Sequence, residues 1–208
     1  MSGEDSGGGA SAENALSLSA GTYSIIIGAG GAANASNGSN STFDQITSIG
    51  GGRGSGVNGN GAGDGGSGGG AGASGSAGSG TANQGYNGQS TSENSGIGGG
   101  AGASGSSGGG GVASEITGSS VTRAAGGIGG ETANQGSDGA PNTGDGATGV
   151  RYDNGGRSGG SGVVIFTLPI GAIVNFSGGV TQTSATVGVN RVYTVTATST
   201  TSETVTIS

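Results

Sequence analysis

Gly68-Gly-Gly-Ala-Gly-Ala-Ser-Gly-Ser76 returns letter for letter as Gly98 to Ser106. The repeat sits inside a zone, Gly50 to Ser161, that holds 43 of the 57 glycines. A stretch so poor in side chains cannot assemble an ordinary apolar core. It is either a flexible linker or a structure held by its own main chain.

Fixing a backbone costs roughly 1–2 kcal/mol per residue, most for glycine, so ordering this zone costs on the order of 100 kcal/mol. Extended glycine threads with three residues per turn form no internal hydrogen bonds. Each N–H and C=O must then find a partner on a neighbouring thread. Without Cβ atoms, threads approach closely enough for N–H···O and Cα–H···O contacts in several directions. The spacing of turn residues favours this ordered alternative. Thr81-Ala-Asn-Gln-Gly85 recurs as Thr132 to Gly136, and such Asn/Gln-Gly segments read as turns between threads that go out and back. Ala and Ser, the commonest interruptions, are small enough to sit at thread surfaces.

Flanking the zone are strands. Tyr23-Ser-Ile-Ile-Ile27 is a β-branched run, preceded by Leu16 and Leu18 alternating with serines, and Ser41 to Ile49 is a further strand candidate. Val163-Val-Ile-Phe-Thr-Leu168 reads as a buried strand, followed by a turn at Leu168-Pro-Ile-Gly171. In Arg191 to Thr198, Val192, Thr194, Thr196 and Thr198 share one face and Tyr193, Val195 and Ala197 the other, with Thr204 to Ile207 as the partner strand. No window has helical apolar spacing with caps. The expected fold is therefore all-β or irregular with no α-helix: a bundle of polyglycine-II-like threads flanked by short strands. The expected organisation is an N-terminal segment 1–15, a glycine-rich domain 16–161 (strands in 16–49, glycine zone 50–161) and a small antiparallel β module 162–208.

Composition removes most chemistry. Five arginines are the only basic side chains, against twelve acids, and histidine, cysteine and tryptophan are absent. Scattered arginines do not make a nucleic-acid surface; they read as isolated donors to carbonyls or carboxylates. A phosphate loop lacks its lysine, and Ser-His or Cys-His systems lack their base. Asp64, Glu93, Glu115, Glu131, Asp138, Asp145 and Asp153 fall singly at turns and read as solvated loop acids; loop carbonyls with Asp138 or Asp145 leave room for an incidental Ca²⁺ at most, and no metal site is expected. Ile25-Ile-Ile-Gly28-Ala-Gly30-Gly-Ala-Ala33 has the outline of a dinucleotide fingerprint. Turn residues follow it where a helix is required, so no cofactor is expected. Val163 to Val174 is too short and interrupted to span a membrane, and no apolar run follows acidic Met1 to Asp5, so no secretory signal is expected.

Ser19-Ala-Gly-Thr-Tyr-Ser-Ile-Ile-Ile-Gly-Ala-Gly-Gly31, Asn37-Gly-Ser-Asn-Ser-Thr-Phe43, Ile49-Gly-Gly-Gly52 and Gly156-Arg-Ser-Gly-Gly-Ser-Gly-Val-Val-Ile165 together resemble the glycine-rich domains of bacteriophage tail fibres and tail-tip adhesins. The resemblance covers about residues 16–167. It implies a non-enzymatic virion-surface protein, oligomeric (a trimer is common among fibres), whose partners are other virion proteins and a bacterial surface receptor or glycan. Met1 to Asn14 lacks the apolar leading strand that such domains often have. Bulky residues at turns are the candidate contacts: Tyr86, Asn87 and Gln89, and Tyr152 with Asp153. On this reading Tyr86→Ala reduces adsorption to cells and leaves the melting temperature unchanged. A virion decoration protein is an alternative. So is an ice-binding protein, since glycine threads and threonines at i, i+2 both make flat arrays.

Overall fold

The computed structural model describes residues 6–11, 16–33, 36–55, 61–72, 75–91, 100, 108–129, 136–148 and 157–208. β-Strands, extended threads and turns make up these residues, and the one helical element among them is a 3₁₀ turn at Gly7–Gly9. Strands β1 (Gly21–Ile26), β2 (Ser41–Phe43) and β3 (Ile46–Ser48) join β7 (Val174–Phe176) and β10 (Thr204–Ile207) in one antiparallel sheet, ordered β3-β2-β1-β10-β7. A second sheet, β6-β9-β8, is built from β6 (Val164–Pro169), β8 (Val180–Val187) and β9 (Asn190–Thr198). β4 (Val112–Ser114) and β5 (Val121–Arg123) form a separate hairpin.

The two larger sheets enclose the apolar core. Ile25, Phe43, Val195, Val205 and Ile207 are buried, with Phe166, Phe176, Leu168 and Tyr23 packed against them. Phe166 stacks on Tyr193 at 5.2 Å between ring centroids and lies 5.2 Å from Phe43, so one aromatic ring bridges both sheets.

Four sequence expectations need correction. Ser41 to Ile49 is a hairpin rather than one strand, because Asp44 takes φ 51° and turns the chain. β10 does not pair with β9: both edges of β9 are occupied, by β6 and β8, and β10 instead lies between β1 and β7. The β4–β5 hairpin lies inside the zone read as threads alone. β6 is half-buried along its length, being exposed only at Pro169.

The glycine zone is ordered laterally. Its centre is the thread 65–72, in which Gly65, Gly66, Gly68, Gly69, Gly70, Ala71 and Gly72 are buried. Four other segments bond to it. Gly52 and Ser55 donate to Ser67 and Gly70 on it; Gly68 and Ala71 donate from it to Tyr86 and Gln89; Gly69 donates to Gly63; Gly78 donates to Gly69. These contacts, 2.8–3.0 Å long, recur every third residue, as expected of a thread with three residues per turn. Equal steps (52 to 67, 55 to 70) mark parallel neighbours. Opposed steps (Gly159 to Gly31, Gly162 to Gly28) mark antiparallel ones.

Glycine is required here for closeness. A Cβ on Gly69 would sit 1.9 Å from the Arg53 carbonyl oxygen, one on Gly52 1.9 Å from that of Gly63, and one on Gly30 1.8 Å from that of Gly159. None of these three has a left-handed φ. Carbonyls of adjacent threads therefore occupy the volume in which a side chain would begin.

Where a thread has no glycine neighbour, a short polar side chain supplies the acceptor. Asn37 Oδ1 takes the Arg53 N–H, Asn40 Oδ1 that of Gly50, Asp64 Oδ1 that of Ser79, Asp145 Oδ1 that of Ala125 and Asp138 Oδ1 that of Ser158. The acids at 64, 138 and 145 are thus more than solvated loop residues; each satisfies an edge amide. Arg157 fits the expected donor role, giving its Nε–H to the Gly136 carbonyl at 2.8 Å.

Glu203 ties the strand connections together. Its carboxylate, 7% exposed, accepts from the Ser177, Ser199 and Thr200 hydroxyls and from the Gly179 N–H. The Ser177 hydroxyl foremost, then Ser199 and Thr200, hold this carboxyl below the ordinary carboxylate range, outweighing the opposing effect of burial.

Two predictions follow from these contacts. Gly69→Ala is expected to destabilise the protein by at least ~2 kcal/mol in urea unfolding, because a carbonyl already fills the new methyl's place. Gly171→Ala, with nothing within 4 Å, should stay within ~0.5 kcal/mol. For Glu203, a folded pKa below the unfolded value of ~4.3 means that its stabilisation is complete above that pH. It is lost as pH falls through the lowered folded value. Melting curves from pH 7 to 2 should show this acid loss in the native chain and a smaller one in Glu203→Gln, which also melts lower at pH 7.

Candidate functional site: the far end of the thread bundle

Threads continue the strands. β1 runs directly into the thread 27–33, β3 into 49–55, and the thread 157–163 descends into β6. The sheets therefore lie at one end of the bundle and the threads project from them.

Ladder directions place the described ends of the threads. The central thread runs parallel to 49–55, so Gly72 ends beside Ser55, and the Gly72 N–H donates to Ser55 Oγ at 3.0 Å. The thread 85–91 is parallel as well, bringing Ser90 and Thr91 to the same end. There Ser90 Oγ donates to the Gly75 carbonyl and accepts the Ala77 N–H. Thread 143–148 is antiparallel to 157–163 (Gly144 to Ser161, Gly160 to Asp145), so Thr148 and Arg157 also finish away from the sheets. The far end thus gathers Ser55, Gly61, Gly72, Gly75, Ser90, Thr91, Thr148 and Arg157. Its hydroxyls and backbone groups suit hydrogen bonding more than charge pairing.

The turn Thr81 to Gly85 lies at the opposite end, against the sheets. Gln84 Oε1 accepts the Ile49 N–H at 2.7 Å, its Nε2 donates to the Thr47 carbonyl, and Asn83 takes φ 64°. The N-terminal segment packs on this turn. Ser6 Oγ donates to the Asn83 carbonyl, and a Cβ on Gly7 would lie 2.0 Å from the Gln84 carbonyl oxygen.

These directions separate the candidate contact residues. Tyr86, half-buried, begins its thread near the sheets, and its hydroxyl oxygen would lie 2.3 Å from a Cβ on Gly9. Asn87 is exposed, yet its Oδ1 accepts the Gly80 N–H at 2.8 Å. Gln89 stands further along the thread, beside Ser90 at the far end, and its carbonyl accepts the Ala71 N–H. Tyr152 and Asp153 lie outside the described residues; the described residues on either side of them are Thr148 and Arg157. The second Thr-Ala-Asn-Gln-Gly copy lies outside them as well, apart from Gly136. Sequence reasoning did not identify Ser55 and Ser90 as part of this end. Their signal is weak: a serine where a thread lacks a glycine neighbour.

Gly28 and Gly30, read as part of a nucleotide-type fingerprint outline, belong to a thread. The Gly28 N–H donates to Ser41 Oγ, and the carbonyls of Gly28 and Gly31 accept from Gly162 and Gly159. Among the described residues, no cluster of three or more acids is placed to hold a metal ion, and no helix is long and apolar enough to cross a membrane.

Over residues 2–169 the chain matches the family described as a glycine-rich domain. It belongs to that family. No curated protein and no solved structure is significantly similar to it.

Tyr86→Ala is expected to lower the melting temperature by a few degrees and to make residues 6–11 more susceptible to limited proteolysis, since the phenol packs on Gly9. This replaces the sequence expectation of an unchanged melting temperature.

Proposed function

We propose that this protein is a non-enzymatic component of a phage virion surface, a tail-fibre element whose glycine body carries attachment loops. One observation supports the reading above others: the described threads ending at Ser55, Gly72, Thr91 and Thr148 all finish at the end remote from the sheets. A backbone lattice of this kind holds these ends on a stiff support with few charged side chains. A body cross-linked by main-chain hydrogen bonds also offers a protease few accessible segments.

On this proposal the sheet end faces other virion proteins and the far end faces a bacterial surface receptor or glycan. Gln89, Tyr152 and Asp153 are the proposed receptor contacts. Tyrosine supplies contact area at low entropic cost, and short polar groups supply adaptable hydrogen bonds. Tyr86 and Asn87 are given a supporting role, because the fold already uses them.

The test is retention of fluorescent purified protein on a panel of bacterial cells. The triple variant Gln89→Ala, Tyr152→Ala, Asp153→Ala should lose at least about tenfold in binding, as expected when central contact residues are truncated, with an unchanged melting temperature. Binding to no strain, or equal binding by the triple variant, would contradict attachment through this end. It would favour a decoration role in which the partner is another virion subunit.

A further inference from the structure

β8 is the outer strand of its sheet, and among the described residues its ladder is to β9 alone. Thr181 to Thr186 are all exposed. Open edges are ordinarily blunted by charge, proline or brevity. This one, Val180-Thr-Gln-Thr-Ser-Ala-Thr-Val187, spans 8 residues and has neither a charge nor a proline. Its single irregularity is a register shift between Thr181 and Gln182, which leaves Gln182 to Val187 regular.

Hairpin geometry says which groups face outward. The β8–β9 loop is the two residues Gly188 and Val189, with φ 60° at Gly188, as in a type II′ turn. Such a loop is closed by a hydrogen-bonded pair, here Val187 with Asn190. Pairs alternate along an antiparallel ladder, so Ala185–Val192 and Thr183–Thr194 are the next bonded ones. Thr183, Ala185 and Val187 therefore use their amides on β9. Gln182, Ser184 and Thr186 turn their N–H and C=O groups to the open side. Their side chains are exposed, and the β4–β5 hairpin approaches the strand at its end, where a Cβ on Gly118 would lie 3.4 Å from the Val187 methyls.

We propose that the occupant of this edge is a second copy of the chain, paired β8 to β8 antiparallel about a twofold axis at Ser184. Two conditions together select this register. A twofold axis perpendicular to a continuous sheet keeps each residue and its mate on the same face. Paired residue numbers must then share parity, so the axis passes through a residue pair. The register must also engage every outward residue, Gln182, Ser184 and Thr186. Ser184 opposite Ser184, with Gln182 opposite Thr186 on either side, satisfies both. An axis at Thr183 or at Ala185 keeps the parity as well, but it engages only two of the three outward residues, Gln182 with Ser184 or Ser184 with Thr186, whereas the axis at Ser184 engages all three. At the axis Ser184 meets its own copy, where a charge would be repelled, and no residue of the strand is charged. The dimer joins the three-stranded sheets of two copies into one.

Sedimentation equilibrium on the full chain tests this over a concentration series up to ~1 mM. The expected species has twice the 18.8 kDa chain mass. Ser184→Pro removes only an outward N–H and leaves the β9 ladder intact, so it should be monomeric with an unchanged circular dichroism spectrum. Ser184→Lys, which sets two cations across the axis, should also be monomeric. Ser184→Cys places thiols on Cα atoms ~5.5 Å apart, within disulfide reach, in a chain without other cysteines, and should cross-link on mild oxidation. A monomer throughout the series, a trimer, or a dimer that persists in both the proline and lysine variants would overturn the proposal.

Discussion

A carbonyl oxygen standing where a neighbour's Cβ would begin is the contact on which the rest of this structure depends. It lets each thread exchange hydrogen bonds with several others, and it makes glycine obligatory without any demand for left-handed φ. Each such bond contributes only ~0.5–1.5 kcal/mol net, whereas an unmade buried one costs ~1–3 kcal/mol. The interior of the bundle is therefore held as much by the penalty of separation as by attraction. Ala71, fully buried among glycines, shows how far the main chain has replaced an apolar core here.

Such a bundle needs anchoring and finishing. The anchor is the pair of sheets around Ile25, Phe43, Phe166, Val195 and Val205, whose strands pass without interruption into threads. The finish is supplied by Asn37, Asn40, Asp64, Asp138 and Asp145, which accept amides that no thread reaches. Glycine-rich sequence interrupted by single Asn, Asp and Ser residues thus acquires a physical meaning: the interruptions mark lattice edges. The same logic accounts for a body so sparsely charged: its edges are closed by single acceptors rather than by ion pairs.

Much of this was legible before the structure. The β-branched runs at Tyr23 to Ile27 and Val163 to Leu168 announce β1 and β6. The first Thr-Ala-Asn-Gln-Gly segment announces its turn, and the glycine repeats announce laterally bonded threads. Other features were hidden for physical reasons. Alternation in Arg191 to Thr198 shows a strand but not its neighbours, so β10 was assigned to β9 when its place was beside β1. Val112-Ala-Ser114 and Val121-Thr-Arg123 are too short for periodicity to stand out against the surrounding glycine. The edge role of the acids was invisible because an acceptor's value depends on which amide lacks a partner, and only the packed bundle reveals that. For the candidate contacts, sequence position did not show that Tyr86 begins near the sheets while Gln89 sits at the far end.

Amide hydrogen exchange, resolved by residue, tests the lattice most directly. The account predicts that the N–H groups of Gly63, Gly66, Gly69, Gly78 and Gly88 exchange as slowly as those of Ile25 and Val195 in the sheets. Exchange of those glycine amides at the rate of an open chain, while the strand amides stay protected, would contradict it.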